Sequence, residues 1–188
     1  MNRRKIIPCL LMMLFSVFVI SCKDKNSIRE EVMELESSVI NVELDSFLCL
    51  KDNAILKERK PLLRLVEYID SSECVPCAIS KLTRWEQYIR KLRDYNDFQF
   101  MVIIEKNKTE KLSEQDVNYL KGLSFPVYID SLYVFKRQNP QIPNNELFHT
   151  FLLTTSDSVV FVGNPMKRVR VDKVLIKILN DRLIQKTR

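Results

Sequence analysis

A pair of cysteines two residues apart, Cys74-Val75-Pro76-Cys77, stands where an apolar run gives way to an amphipathic one, and no other part of the chain restricts the fold as much. Leu62 to Ile69 reads as a strand. From Ala78 onward, Ile79, Leu82, Trp85, Ile89 and Leu92 recur at helical spacing. The first cysteine is therefore expected at the mouth of a helix and the second inside its first turn. There, unpaired backbone N–H groups and the positive end of the helix dipole favour a thiolate. Such settings lower a cysteine pKa from ~8.5 to roughly 3.5–7.5.

Several chemistries use two cysteines at this spacing. Zinc needs about four ligands, and the sequence offers this pair, a distant Cys49 and a single histidine, His149. A c-type haem needs His directly after the second cysteine, where Ala78 stands. A purely structural disulfide would close a very small loop and remove little entropy from the unfolded chain. A structural disulfide and a zinc site stay open beside a redox pair at a strand-to-helix junction, and the surrounding elements favour the redox pair. Phe98 to Ile104 reads as a buried strand. Ser113 to Leu123 reads as a helix with Ser113 as N-cap and Asp116 completing a shortened capping box. Phe125 to Asp130 is extended. Phe148 to Thr154 and Ser158 to Val162 read as strands joined by Thr155-Ser156-Asp157, and Val171 to Ile184 as an amphipathic helix. Residues 28–60 read less sharply, with a helical pattern from Ile28 to Leu35 and strand-like alternation from Val39 to Leu44 that would extend the sheet. The expected class is α/β, a central mixed sheet flanked by helices.

With this order of elements the chain resembles the thioredoxin-like thiol–disulfide oxidoreductases, and within them the membrane-anchored bacterial TlpA/ResA-like branch. The resemblance rests on the Cys-Val-Pro-Cys pair, on Phe125 to Asp130, and on His149 to Leu153 followed by Val159 to Pro165. It implies a thioredoxin-like fold with an N-terminal strand extension and an extra segment over residues 124–147. It also implies a redox-active pair in which Cys74 attacks and Cys77 resolves. Pro76 opens the helix, where a missing N–H costs nothing. Cys77 is expected to be the more buried thiol. Glu67, which interrupts an apolar strand on the face of Leu65 and Ile69, is expected to take its proton, with Asp70 a weaker alternative. His149 opens a strand that faces the pair in the resembled fold. It is an accessory candidate as a base or donor to the Cys74 thiolate, as a third copper ligand beside Cys74 and Cys77, or as a plain strand-end residue. Trp85 is expected in the core.

The chain departs from that family at two places. Glu73 stands where the family has Trp, and a carboxylate there would raise the Cys74 pKa. The family's cis-proline has no counterpart near Phe148 and His149, and Pro143 lies well upstream. These departures support an alternative, a non-catalytic thioredoxin-like binding module of the cell envelope. A copper-delivery protein is the further alternative.

The chain opens as a secretory signal: Asn2-Arg3-Arg4-Lys5 is basic, and Ile6 to Ile20 is apolar but too short for a confident membrane span. It ends in Val19-Ile20-Ser21-Cys22, which resembles the bacterial lipobox. The expected division is residues 1–21 as a lipoprotein signal peptide, 22–36 as a tether and 37–188 as the domain, with Cys22 lipidated and holding the protein on an envelope membrane. Cys49, inside Phe47-Leu48-Cys49-Leu50, is expected as a buried, inert thiol. The 30 basic and 24 acidic residues, a formal +6, do not read as nucleic-acid binding. Lys81, Arg84, Arg90, Lys91 and Arg93 are spaced like a solvated helix face, and Lys167-Arg168-Val169-Arg170 like a charged turn. The expected function is an extracytoplasmic, monomeric thiol–disulfide oxidoreductase, a reductase of envelope protein disulfides that needs no metal or other cofactor.

Overall fold

The computed structural model describes residues 28–50, 60–106 and 112–183. The predicted leader and Cys22 lie outside the described residues, as does the end of the last helix at Ile184. Helix α1 covers residues 28–36. It is followed by β1 (Leu48–Cys49), β2 (Leu63–Ile69), α2 (Val75–Ile89), β3 (Phe98–Glu105), α3 (Glu114–Gly122), β4 (Val127–Asp130), α4 (Val134–Gln138), β5 (Thr150–Thr154), β6 (Val159–Val162) and α5 (Val169–Leu183).

The six strands form one mixed sheet in the order β1-β4-β3-β2-β5-β6. β2, β3 and β4 run parallel, joined by crossovers through α2 and α3. β5 lies antiparallel to β2 and turns tightly into β6. Covered on both faces, β2 and β3 are mostly apolar, as central parallel strands tend to be, with Arg64, Glu67, Gln99 and Glu105 the exceptions. Alternation sends Leu65, Ile69, Phe100 and Val102 to one face, against Leu82 and Trp85 of α2 and Leu175 and Leu179 of α5. Trp85 is fully buried and stacks on Phe100 at 4.6 Å, as expected of a core residue. Val66, Tyr68, Met101 and Ile103 face the other way, onto Leu35 of α1, Phe135 of α4 and the N-terminal segment. Each such side chain contributes roughly 1.5–3 kcal/mol of burial.

Residues 28–36 form a helix, as the pattern from Ile28 to Leu35 predicts, and its Leu35 is fully buried. Val39 to Leu44, expected as a strand, is not one. Its sheet contact is a single bridge between Val39 and Ser158, made by Ile40 N–H on Asp157 O (2.9 Å) and Val159 N–H on Ser38 O (3.0 Å). Asn41 N–H instead donates to the Asn139 side chain at 2.7 Å. The segment crosses the sheet face with Ile40 and Phe47 buried, so its apolar alternation records packing on a face and not ladder pairing. The N-terminal strand is the short β1, antiparallel to β4. Cys49 within it is half-buried, where a buried thiol was expected.

Candidate active site

Cys74 caps α2, Val75 and Pro76 occupy its first two helical positions, and Cys77 the third. Cys74 and Cys77 form a disulfide with Cα atoms 5.2 Å apart. The Cys77 backbone N–H points at Cys74 Sγ (3.3 Å), and Ala78 N–H closes the first helical bond on Cys74 O (2.9 Å). One of the helix's otherwise unpaired donors is thus aimed at the first cysteine's sulfur, the arrangement that stabilises a thiolate once the bond is reduced. Both cysteines are exposed. The pair sits at the outer rim of the first turn, and the core begins at Ala78.

A charged trio joins β2, the residue before Cys74 and α2, with Glu67 and Lys81 buried and Glu73 half-buried. Glu67, only 1% exposed, points from β2 to the α2 face, as its shared parity with Leu65 and Ile69 requires. Its Oε2 accepts from Thr150 Oγ1 at 2.5 Å, across a β2–β5 register pair. Its Oε1 lies 3.1 Å from Lys81 Nζ, which also donates to Glu73 Oε2 at 3.1 Å. Lys81 is 8% exposed. The expected solvated helix face is wrong at this residue: an acid inside an apolar strand needs a cation, and Lys81, one turn beyond Cys77, supplies it. That need, together with the i,i+4 spacing from Cys77, is the signal that could have identified it. Burial pushes the Glu67 carboxyl above its usual range, against the pull of Lys81 and Thr150. Burial acts to lower Lys81, but the two carboxylates outweigh it and hold the ammonium protonated above its usual range. With both carboxylates ionised the trio carries one net negative charge, and Glu67 is the member ready to take a proton.

His149 is buried (2% exposed) just before β5, not a surface residue. A carbonyl can only accept, so Nε2–H donates to Pro143 O (2.9 Å), and Nδ1 faces Asp70 Oδ2 at 3.9 Å. Its ring packs on Tyr68 at 5.0 Å, and its carbonyl accepts from Tyr68 N–H at 2.8 Å. Burial lowers its pKa, leaving the ring neutral. The residue pins the loop ahead of β5 to the end of β2. Burial works to raise Asp70, but the Ser72 hydroxyl and N–H hold its carboxylate below the usual range. Among the described residues no three His, Cys, Asp or Glu side chains are placed to hold a metal ion, so Cys74, Cys77 and His149 do not assemble a copper site there. No helix among the described residues is long and apolar enough to cross a membrane.

No protein-family model matches the sequence, and no curated protein matches it. Among solved structures, a putative thiol:disulfide interchange protein DsbE from Chlorobium tepidum is similar at 14% identity and TM-score 0.46, covering 71% of this chain and 93% of that one. The bacterioferritin comigratory protein of Xanthomonas campestris is similar at 11% identity and TM-score 0.48, covering 77% and 97%. An exposed lipoprotein thioredoxin of Streptococcus pneumoniae is similar at 16% identity and TM-score 0.42, covering 67% and 89%. The strand before the cysteines lies between a parallel neighbour and an antiparallel hairpin, the disulfide opens the helix that follows it, and a last helix packs on the same face. By that arrangement the fold is thioredoxin-like.

Proposed function

We propose that the protein is an extracytoplasmic thiol–disulfide oxidoreductase, held on a bacterial envelope membrane through a lipidated Cys22 and acting as a reductase of envelope protein disulfides. The observation that carries the reading is the exposed Cys74–Cys77 disulfide at the N-terminus of a helix whose Lys81, one turn past Cys77, pairs with a buried carboxylate of raised pKa. In the reduced protein the Cys74 thiolate attacks one sulfur of a partner disulfide. A mixed disulfide forms and the partner's other sulfur leaves as a thiolate. Cys77 then gives its proton toward Glu67 and attacks Cys74 Sγ, expelling the second partner thiolate, which is protonated from solvent. The partner gains two electrons and the Cys74–Cys77 bond is remade, to be reduced again by a dithiol donor. Lys81 holds Glu67 in place. His149 acts by fixing the loop before β5.

The test is the redox midpoint of the pair, read by alkylation and mass spectrometry across glutathione and dithiothreitol buffers. It is joined to trapping of mixed disulfides by a Cys77→Ser variant and to insulin reduction. A reversible two-electron transition near the thioredoxin range, roughly −270 mV, with trapped partners and turnover, is the expected result. A pair that neither cycles nor traps a partner would replace the proposal with the non-catalytic binding module.

A further inference from the structure

Glu73 is the residue hardest to reconcile with a reactive Cys74, since a carboxylate beside the attacking sulfur opposes ionisation of the thiol. A compensating charge is built beside it. Lys81 Nζ lies 3.1 Å from Glu73 Oε2 and 3.1 Å from Glu67 Oε1, with the lysine side chain only 10% exposed and Glu73's 20%. One ammonium is thereby shared between the carboxylate that precedes the attacking cysteine and the buried carboxylate of β2. Local structure supplies the reach. The 70–73 turn is closed by Glu73 N–H on Asp70 O (3.2 Å) and by Asp70's bonds to Ser72. This brings Glu73 back over α2, where Lys81 stands one turn past Cys77. Removed from bulk water, the pair is screened less than a surface ion pair.

We propose that Lys81 is the positioning residue that keeps Cys74 acidic in the presence of Glu73, by holding that carboxylate in an ion pair shared with Glu67. The inference rests on reading Cys74 and Cys77 as a redox pair. Lys81 acts through Glu73 and not by contact with either sulfur. Because the same ammonium also serves Glu67, protonation of Glu67 leaves it wholly to Glu73, and the two carboxylates influence Cys74 together.

The measurement is the pH dependence of iodoacetamide alkylation at Cys74 in the reduced full chain, resolved by peptide mass spectrometry. Lys81→Met is expected to raise the alkylation midpoint by about one pH unit, about tenfold less thiolate at neutral pH, and Lys81→Arg to retain the parental midpoint. Glu73→Gln is expected to change little by itself but to restore the midpoint in the Lys81→Met background. Equal midpoints for the parent and Lys81→Met would overturn the proposal. So would a Glu73→Gln shift of the same size in both backgrounds. If circular dichroism shows Lys81→Met unfolded, Glu73→Gln alone decides: an unmoved midpoint supports masking, and a tenfold gain in thiolate refutes it. Thiol titration does not require turnover. A parent that fails to reduce insulin while its Cys74 still responds to Lys81 would sink the oxidoreductase reading and leave this one standing.

Discussion

Replacing Glu67 with Gln tests whether burial or ion pairing governs the trio of Glu67, Lys81 and Glu73. At the 3.1 Å separation from Lys81 and an effective dielectric of about 20, the gross attraction is about 5 kcal/mol. Withdrawing a carboxylate from water costs several kcal/mol, and the raised Glu67 pKa means that this cost exceeds what Lys81 and Thr150 return. The sign of the pH dependence follows. Well below the ordinary value of 4.5 the carboxyl is neutral in both folded and unfolded chains and contributes no difference. Between 4.5 and the raised folded pKa the unfolded chain is the more ionised of the two. The fold then loses about 1.4 kcal/mol for each tenfold by which burial weakens the acid. Gln preserves the shape and an acceptor for Thr150, and Lys81 keeps Glu73. Relative to the parent, Glu67→Gln should therefore lie within about 1 kcal/mol at pH 4 and be the more stable of the two at pH 8. Urea unfolding of the oxidised proteins gives the answer as a difference between the two. This matters because His149, whose pKa burial lowers from 6.5, acts in the opposite sense and costs stability as pH falls through its folded value. A variant weaker than the parent by about 3 kcal/mol or more at pH 8 would mean that the ion pair outweighs desolvation, and would refute the reasoning.

Other substitutions probe the frame around the site. His149→Gln should lessen the parent's loss of stability below pH 6.5, and identical acid limbs for the two proteins would contradict a buried neutral ring. Trp85→Ala, removing a fully buried ring stacked on Phe100, should cost about 3–5 kcal/mol, seen as a lower urea midpoint at unchanged slope. Asp157 stands at φ 60 in the β5–β6 turn and pairs with buried Arg64. Asp157→Asn keeps a residue that tolerates this backbone but strands the guanidinium, so a loss of about 3 kcal/mol is expected, much of it recovered by adding Arg64→Met.

The sequence is most legible where one physical demand acts alone. Leu63 to Ile69 and Phe98 to Ile104 are mostly apolar because both faces are covered, and Ser113 with Asp116 forms the capping box at the start of α3 as the spacing requires. Cys74 at the helix mouth and Glu67 facing the helix follow from a change of period and from strand parity. Lys81 was misread because an amphipathic helix shows a cation as surface until the facing strand supplies a partner. The alternation of Val39 to Leu44 was misread because packing across a sheet and pairing within one leave the same imprint on side chains. α4 spans only Val134–Gln138 and is entered through Tyr133 at φ 57, a residue without glycine's freedom there, so no local pattern announces it. Exposure of Cys77 depends on where the helix ends relative to the core, a tertiary matter that two residues of spacing do not encode.

The segment from α1 to β1 touches the sheet at both borders: Val39 bridges to Ser158 beside β6, and Leu48 with Cys49 pairs with β4. It acts as a clasp whose two fastenings belong to strands much later in the chain. During synthesis or transport the clasp leads, yet neither fastening exists until β4 and the β5–β6 turn have emerged, so its closure spans long loops and comes late. Until then the outward N–H and C=O groups of both border strands are open templates for another chain's strand. The interval before the clasp shuts is the time at which this protein is most exposed to self-association, and a partner that sequesters residues 28–50 would prolong it by keeping both borders open.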